Sequence, residues 1–458
     1  HQLEHEYALK KRKCKTWKKS SKKLYHCKSC MKGVYCGVEC QIKDTEHPCL
    51  IEGRRKASDE DFGGDKKKAR EAARSQHIIE NLPVDLYDLL FQWMDETTMK
   101  NFTTMTKFLY NRIPAKWLNY VPITITLIPG QSLKSIFNED QWINLRKLTI
   151  HGNQPIVEYP PNLTHLTFWD RYNQSIVNLP SSLIELAFGY SFNQEIDLRY
   201  LNHLTYLRLG DEFNQSVDNL PESLIRLEFG YEFNQPVDNL PESLSDLFFG
   251  PRFNQSVDNL PESLTYLEFS TDFNQPIDNL PESLTYLELS TEFDQPVDLR
   301  YLNNLTQLEF GEDFNHTVNN NLPQSLRHLT FWDKFDQSID NLPQSLTHLI
   351  FKSDVQESDF NHRIDNLPLN LTHIVLGDKF NRDIDLRYLN RLTHLTFGRH
   401  FNQLVNNLPD SLTELTFGWN FNQSIDNLPD NISKLILSKN YNYPITKYPR
   451  KLVHFEYI

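Results

Sequence analysis

The residues best suited to chemistry lie in one short segment near the start of the chain, where all six cysteines fall between Cys14 and Cys49. Thiolates and an imidazole recur there at spacings that close tetrahedral zinc sites. So short a segment cannot obtain its folding free energy from apolar burial, and a bound metal can supply it. The sequence therefore predicts one or two structural zinc ions. The candidate ligands are Cys14, Cys27, Cys30, Cys36, Cys40, His47 and Cys49.

The order of these ligands resembles the MYND finger, a small module with two interleaved zinc sites that usually binds short peptides of other proteins. The resemblance implies two ligand sets, Cys27, Cys30, His47 and Cys49 for one site and Cys14, Cys36 and Cys40 for the other. Trp17 stands where the family has a cysteine, and the His47–Cys49 spacing is shorter than the family's. The site that includes Cys14 therefore lacks a ligand, recruits His26, or is empty.

Most of the remaining chain consists of copies of one sequence motif of about twenty residues, which begins Phe-Asn-Gln. It starts with a constant step at Phe213, Phe233, Phe253 and Phe273, and it recurs with small insertions to the end of the chain. A fixed period of this length is typical of a solenoid, in which each unit buries its apolar face against its neighbours. Such an array presents a long ordered surface, so we expect binding and find no catalytic constellation. The chain is predicted not to be an enzyme.

Each unit contains a Leu-x-x-Leu-x-Phe run, residues 264–269 in the unit that begins at Phe253. This alternation predicts a short strand, and stacked units would form a parallel sheet. We expect Phe253, Val257 and Leu260 to cover that sheet from behind. Asn254 recurs at the same place in neighbouring units, where its amide can bond the backbone of the next turn and form a ladder.

The consensus sequence of the repeat resembles the FNIP repeat, which is known from amoebae and their giant viruses. That family is an interaction array without a common enzymatic activity. The resemblance implies a repeat solenoid, a leucine-rich-repeat-like horseshoe of short parallel strands with irregular convex arcs. We expect a small zinc finger and a short helical module to precede it. Three units carry Asp-Leu-Arg-Tyr-Leu-Asn instead, at residues 197–202, 298–303 and 385–390. The Leu spacing there predicts a helical turn on the convex side.

Two positions in each strand point outward from the concave side and vary along the array. Tyr beside Glu would suit a basic or aromatic partner segment, because Tyr anchors with little entropy loss and carboxylates steer cations. The candidate partner-binding residues of the array are Tyr206, Arg226, Glu228, Tyr266, Glu268, Tyr286, Glu288 and Glu309. The alternative is a face that only keeps the sheet soluble. Later units carry His328, His348, His373 and His394, which we interpret as neutral stacked imidazoles and not as metal ligands.

Residues 77–120 carry apolar residues at helical spacing. Their opening, Leu82-Pro83, and the following Leu86 and Leu90 resemble an F-box, a small helical bundle that docks on a Skp-type linker and so on a cullin ubiquitin ligase. The resemblance makes these four residues candidates for partner contact. The alternative is an N-terminal cap that seals the first turn of the solenoid.

Charge divides the chain, because residues 1–80 carry a surplus of +8 and the remainder −21. We predict a finger at 10–50, a charged linker at 51–76, the F-box-like module or cap at 77–120 and the solenoid at 121–458. The basic run of residues 10–23 is interpreted as a solvated face, and nucleic-acid binding is disfavoured because aromatic residues are sparse. No apolar run is long enough to span a bilayer. Cysteine usage favours an intracellular protein in the cytoplasm or nucleus, of a host cell if viral. We expect it to be a monomer.

The leading functional hypothesis is a modular protein-interaction protein. If the F-box resemblance holds, it would be a substrate receptor that holds a target on the solenoid for a Skp-cullin-type ubiquitin ligase. The alternative is a non-catalytic scaffold or decoy that sequesters host proteins without recruiting a ligase.

Overall fold

The chain divides into two compact units, residues 1–113 and 114–458. A computed structural model describes residues 25–26, 34–35, 123–127, 130–169, 171–353 and 357–458. In the first unit the described residues form one antiparallel pair, β1 (Tyr25–His26) with β2 (Val34–Tyr35). The predicted zinc ligands, the linker and the F-box-like residues Leu82, Pro83, Leu86 and Leu90 lie outside the described residues.

The second unit is a solenoid of short parallel strands joined by irregular arcs. Its strands are β3 (Ile123–Thr126), β4 (Lys147–His151), β5 (His165–Phe168), β6 (Glu185–Ala187), β7 (Tyr206–Arg208), β8 (Arg226–Glu228), β9 (Asp246–Phe248), β10 (Tyr266–Glu268), β11 (Tyr286–Glu288), β12 (Gln307–Glu309), β13 (His328–Phe331), β14 (His348–Phe351), β15 (His373–Val375), β16 (His394–Thr396), β17 (Glu414–Thr416), β18 (Lys434–Leu437) and β19 (His454–Tyr457). Each pairs in parallel with the next, in chain order. The parallel-strand solenoid predicted from the repeat period is confirmed.

The strand order is cyclic, with β19 next to β3. Hydrogen-bond register nevertheless joins β3 only to β4 and β19 only to β18 within the described residues. The last strand is also largely exposed, Tyr457 to 43%, and Val453 just before it is exposed to 89%. Within the described residues the array is therefore a curved sheet in which β19 pairs with β18 alone. None of the helices in the described residues is both long and apolar enough to cross a bilayer.

One short helix, α1 (Glu139–Asn144), precedes the repeats. Asn138 caps its start through a capping box, because its side chain accepts from the Gln141 amide at 2.9 Å and the Gln141 side chain accepts from the Asn138 amide at 3.2 Å. A 3-10 turn at Leu133–Ile136 lies just before it. Trp142 on this helix is buried, so the segment belongs to the core of the first turns.

Two rows of stacked aromatic rings form the core of the solenoid. The first row is one ring per coil, with centroids 6.0 to 6.4 Å apart: Tyr172, Phe192, Phe213, Phe233, Phe253, Phe273, Phe293, Phe314, Phe335, Phe360, Phe380, Phe401, Phe421 and Tyr441. The second row lies at the strand ends and contacts the first, as where Phe249 stacks 3.7 Å from Phe253. Each coil buries its ring only against adjacent coils, which gives the array its one-dimensional stability.

The predicted asparagine ladder is confirmed on the loops that follow the strands. The backbone amide of Asn254 donates to Oδ1 of Asn234 at 3.0 Å, and Asn274 donates to Asn254 in the same way. The next side chain in each coil adds a second bond, since Gln255 Nε2 donates to the same Asn234 oxygen at 2.9 Å. Loop amides that would otherwise be buried without partners are satisfied by this arrangement.

The ladder contains two matched replacements. Where Asp294 and Asp336 stand in place of asparagine, the glutamine of the next coil is replaced by His316 and His362. Nε2 of each histidine lies near Oδ1 of its aspartate, at 3.1 Å and 3.2 Å, and the ladder continues through both coils. A histidine–carboxylate contact therefore substitutes for an amide pair at the same place.

The Asp-Leu-Arg-Tyr-Leu-Asn units do not form the expected helical turn. Leu201 N bonds Leu198 O and Leu204 N bonds Leu201 O, two isolated i to i+3 turns in succession without the consecutive bonds of a helix. In the later copies the tyrosine hydroxyl reaches back to the preceding coil, where Tyr301 Oη accepts from Leu280 N at 2.9 Å and donates to Ile277 O at 3.1 Å. This variant ties neighbouring coils together on the convex side.

Candidate protein-binding face

The outward positions of the strands form two columns on the concave face, because parallel pairing keeps equivalent residues in register. The first column contains Tyr206, Arg226, Asp246, Tyr266, Tyr286, Gln307, His328, His348, His373, His394, Glu414 and Lys434. The second contains Arg208, Glu228, Phe248, Glu268, Glu288, Glu309, Thr330, Ile350, Val375, Thr396, Thr416 and Ile436. Side chains in one column lie about one strand spacing, ~4.8 Å, apart.

The part of the face on β7 to β12 is here called the acidic segment. It contains all eight predicted partner-binding residues of the array, and the fold brings them to one surface. Tyr266 and Tyr286 stack in parallel with centroids 4.3 Å apart. Each tyrosine hydroxyl donates to the glutamate two residues on, Tyr266 to Glu268 at 3.0 Å and Tyr286 to Glu288 at 2.5 Å.

Three carboxylates follow one another in the second column of the acidic segment, Glu268, Glu288 and Glu309. Burial raises the pKa of Glu288, and the neighbouring Glu268 and Glu309 raise it further, whereas the Tyr286 hydroxyl opposes the shift. Glu309 has a cation of its own, because Lys352 Nζ lies 2.6 Å from it. Within the described residues no cation lies within 4.0 Å of Glu268 or of Glu288, and Lys352 only partly opposes the raised pKa of Glu288 from a distance.

Two of the predicted contact residues are already paired with each other. Arg226 Nη2 lies 2.7 Å from Glu228 Oε1, and its guanidinium stacks over Phe248 at 4.2 Å. Tyr206 also donates to Glu228 at 3.1 Å. This end of the acidic segment is therefore internally neutralised, and the open negative charge is concentrated at Glu268 and Glu288.

The next part of the face, on β13 to β16, is here called the histidine segment. His348 stacks on His373 at 4.2 Å and His373 on His394 at 4.1 Å, so the predicted stack of imidazoles is confirmed. His328 meets His348 edge-on at 4.3 Å. A group of three or more side chains able to hold a metal ion is absent from the described residues.

The histidine segment carries no fixed charge in either column between Glu309 and Glu414. Burial lowers the pKa of His348 to about 4, and the adjacent His328, His373 and His394 lower it further by repulsion. Burial also lowers the pKa of His328 and of His373. These lowered pKa values favour the neutral form of His328, His348 and His373 at pH 7.

A groove runs beside the histidine segment, where the strands end, and sequence reasoning did not find it. It has a volume of about 510 Å³, and Trp332 and Trp419 are among its lining side chains. Val375, Thr396 and Thr416 of the second column line it together with the backbones of Gly377, Gly398 and Gly418. We call it the tryptophan groove. Its signal in the sequence is a glycine two residues after the strand in consecutive units, which other coils share at Gly210, Gly230 and Gly250.

Glycine is required on this floor because the coils approach closely. A Cβ at Gly398 would collide with the carbonyl oxygen of Gly377, and a Cβ at Gly418 with that of Gly398. The charges at its rim are compensated. Lys352 forms an ion pair with Glu309, and Arg399 Nη1 lies 2.9 Å from Glu357 Oε1.

Comparison with known families gave one match, the FNIP Repeat, over residues 153–354 and 390–427 in overlapping copies. Comparison with curated proteins gave no match. Neither result indicates a catalytic family.

Solved structures with the same kind of fold include CroV588, described as a novel circular LRR protein. It is 38% identical over 77% of this chain, with a TM-score of 0.61, and the present chain spans 61% of its length. InlF from Listeria monocytogenes is 17% identical, with 78% of this chain and 92% of that protein covered and a TM-score of 0.37. YopM from Yersinia enterocolitica is 20% identical, with 69% and 73% covered and a TM-score of 0.42.

Proposed function

The chain belongs to the FNIP repeat family, and from this premise we propose that it is a protein-binding solenoid whose acidic segment receives a basic stretch of a partner. The carrying observation is Glu288, a half-buried carboxylate with a raised pKa and no ion pair within the described residues. A lysine or arginine placed there would remove an existing electrostatic penalty. The stacked Tyr266 and Tyr286 offer a rigid aromatic platform beside it.

Titration with a fluorescent lysine- and arginine-rich peptide tests this function. The full chain should bind the peptide, and the variant Glu268→Gln/Glu288→Gln should bind it at least about tenfold more weakly, a loss of about 1.4 kcal/mol. Glu242→Gln is the matched control, since Glu242 is an exposed glutamate of the outer arc. Equal binding by the double variant and the control would contradict the proposal.

We also propose that the Cys/His-rich head is a MYND-like zinc finger. The support is the ligand set Cys14, Cys27, Cys30, Cys36, Cys40, His47 and Cys49 at metal-binding spacings. Metal analysis of the purified chain should give one or two zinc ions, and Cys27→Ser should lose at least one. A chain without zinc, with folding unchanged in Cys27→Ser, would refute the finger.

The F-box-like segment extends the proposal to a substrate receptor for a Skp-cullin-type ubiquitin ligase. Its support is the sequence order Leu82-Pro83, Leu86 and Leu90, whose apolar face would be completed by a partner helix. The full chain should capture a Skp-type linker in a pull-down, and Leu86→Asp/Leu90→Asp should abolish capture. Equal capture by both chains would leave the scaffold or decoy function, in which no ligase is recruited.

A further inference from the structure

The histidine segment differs from the acidic segment in the hydrogen bonds that it offers. Thr347 Oγ1 donates its only hydrogen to Arg327 O at 3.0 Å, so its 2.9 Å contact with His348 Nδ1 requires the imidazole to donate. Thr372 holds His373 in the same way, through bonds of 3.0 Å to Thr347 O and 2.9 Å to His373 Nδ1. Both rings are thereby fixed in the tautomer that leaves Nε2 as a bare acceptor.

These acceptors are free for a ligand. Nε2 of His348 and of His373 has no hydrogen-bond partner among the residues that the structure describes, whereas Nε2 of His394 lies 3.4 Å from Glu414. A neutral acceptor pair attracts N–H or O–H donors without selecting charge. It lies one column away from the second-column residues Val375 and Thr396 that line the tryptophan groove.

The groove has the length and lining of a peptide site. Trp332 follows β13 and Trp419 follows β17, so the two rings are separated by four strand steps, about 19 Å. An extended chain of about six residues spans that distance, at about 3.3 Å per residue. The bare glycine backbones let such a chain approach closely, and Trp419, which is 60% exposed, can pack on an apolar side chain.

We propose that the tryptophan groove and the histidine segment bind an uncharged, extended peptide stretch of about six residues, contiguous with the basic stretch on the acidic segment. This rests on the proposed function and divides the partner into two blocks. The charge pattern of the face argues for the division. The second column passes from Glu268, Glu288 and Glu309 to Thr330, Ile350 and Val375 without interruption. A uniformly basic ligand would find no counter-charge on the histidine segment, whereas a uniformly apolar one would leave Glu288 uncompensated.

Selection from a phage-displayed library of random peptides, about a dozen residues long, on the immobilised full chain tests the two-block partner. Enriched peptides should combine a cluster of Lys or Arg with a separate run of uncharged residues that includes an apolar side chain. Enriched peptides that are basic throughout, or that lack basic residues, would overturn the two-block inference and leave a binding solenoid in place. The absence of any enriched peptide would overturn both the inference and the proposed function.

Variants assign the blocks to their segments. Trp419→Ala should lower the affinity for an enriched peptide at least about tenfold, at low and at high salt alike. Tyr190→Ala should not, although Tyr190 is an exposed aromatic at the same place in its own coil. Glu268→Gln/Glu288→Gln should weaken binding mainly at low salt, because screening already weakens charge attraction at high salt. Loss of the same size in Trp419→Ala and Tyr190→Ala, or a salt-dependent loss in Trp419→Ala, would contradict the assignment.

Discussion

The acidic and histidine segments are built on the same coil and present different chemistry. Beneath both, one aromatic ring per coil continues the stack, from Phe273 under the first to Phe380 under the second, at a nearly constant spacing. Above it, carboxylates and tyrosines give way within one strand step to imidazoles and β-branched residues. The core fixes where the two columns lie, and the face can then change its binding chemistry without changing the fold.

Removal of a core ring should lower the free energy of unfolding more than any other change, and by the same amount in the two segments. Phe253→Ala and Phe380→Ala each remove a ring that is fully buried. Each should lower the free energy of unfolding by about 3 to 5 kcal/mol, measured by urea denaturation followed by circular dichroism. A difference of more than about 2 kcal/mol between them would mean that the segments differ in their cores as well as in their faces.

The second residue after the strand should have a smaller effect on stability, and its size should depend on whether the residue is a glycine in close contact with the preceding coil. Gly398→Ala forces a Cβ against the Gly377 carbonyl and should cost about 2 to 3 kcal/mol. Glycine stands at this place in both segments, as at Gly250 of the acidic segment. One coil of the acidic segment has Ser290 there instead, whose hydroxyl donates to Phe273 O at 2.5 Å, so Ser290→Ala should cost about 1 kcal/mol. Denaturation of both variants measures the difference, and a Gly398→Ala chain as stable as the parent would show that the groove floor is not tightly packed.

Acid should affect the segments in opposite directions. The pKa of His348 is lowered to about 4 in the fold, so the stability it contributes is complete above about pH 6.5 and declines as the pH falls toward 4. His348→Gln should remove about 1 kcal/mol of that decline, a figure reduced because the side chain is partly solvated. Thermal denaturation between pH 7 and pH 4 measures it.

The pKa of Glu288 is raised, so its contribution runs the other way: it is present at low pH and is lost as the pH rises through the folded-state value. Glu288→Gln should therefore be more stable than the parent chain at pH 7, by about 1 kcal/mol, and equal to it near pH 4. Parallel pH profiles for the His348→Gln and Glu288→Gln variants would contradict the contrast between the two segments.

The smallest effect belongs to the loop ladder at the junction of the segments. Asp294→Asn leaves His316 facing an amide and should cost about 0.5 kcal/mol. Asp294→Asn/His316→Gln restores the Asn–Gln pair found in other coils and should recover that loss. A double-mutant cycle measures the coupling, and additive single effects would show that the matched replacements are independent.

The sequence predicted the solenoid, the buried positions and the asparagine ladder, because all three depend on contacts that recur at one fixed period. Asn254 could be assigned its ladder role from its neighbours in the alignment of repeats alone. The pairing of Arg226 with Glu228 could not be predicted in this way, since both lie on one strand and their choice of partner depends on side-chain conformation. The tryptophan groove was not predicted because glycine backbones form its floor, at Gly377, Gly398 and Gly418, and a glycine offers no side chain from which to infer a site. The role of Tyr301 was missed because its hydroxyl bonds a coil that precedes it.

The uniform aromatic stack also bears on how such a gene can change its length. Residues 273–292 form one whole period, and their loss would bring Phe253 and Phe293 together as new neighbours with the same ring-on-ring geometry. Recombination between copies can therefore add or delete a unit without a compensating mutation elsewhere. Selection would then act only on the order of the outward-facing side chains. Such changes would lengthen, shorten or rearrange the binding face of the protein.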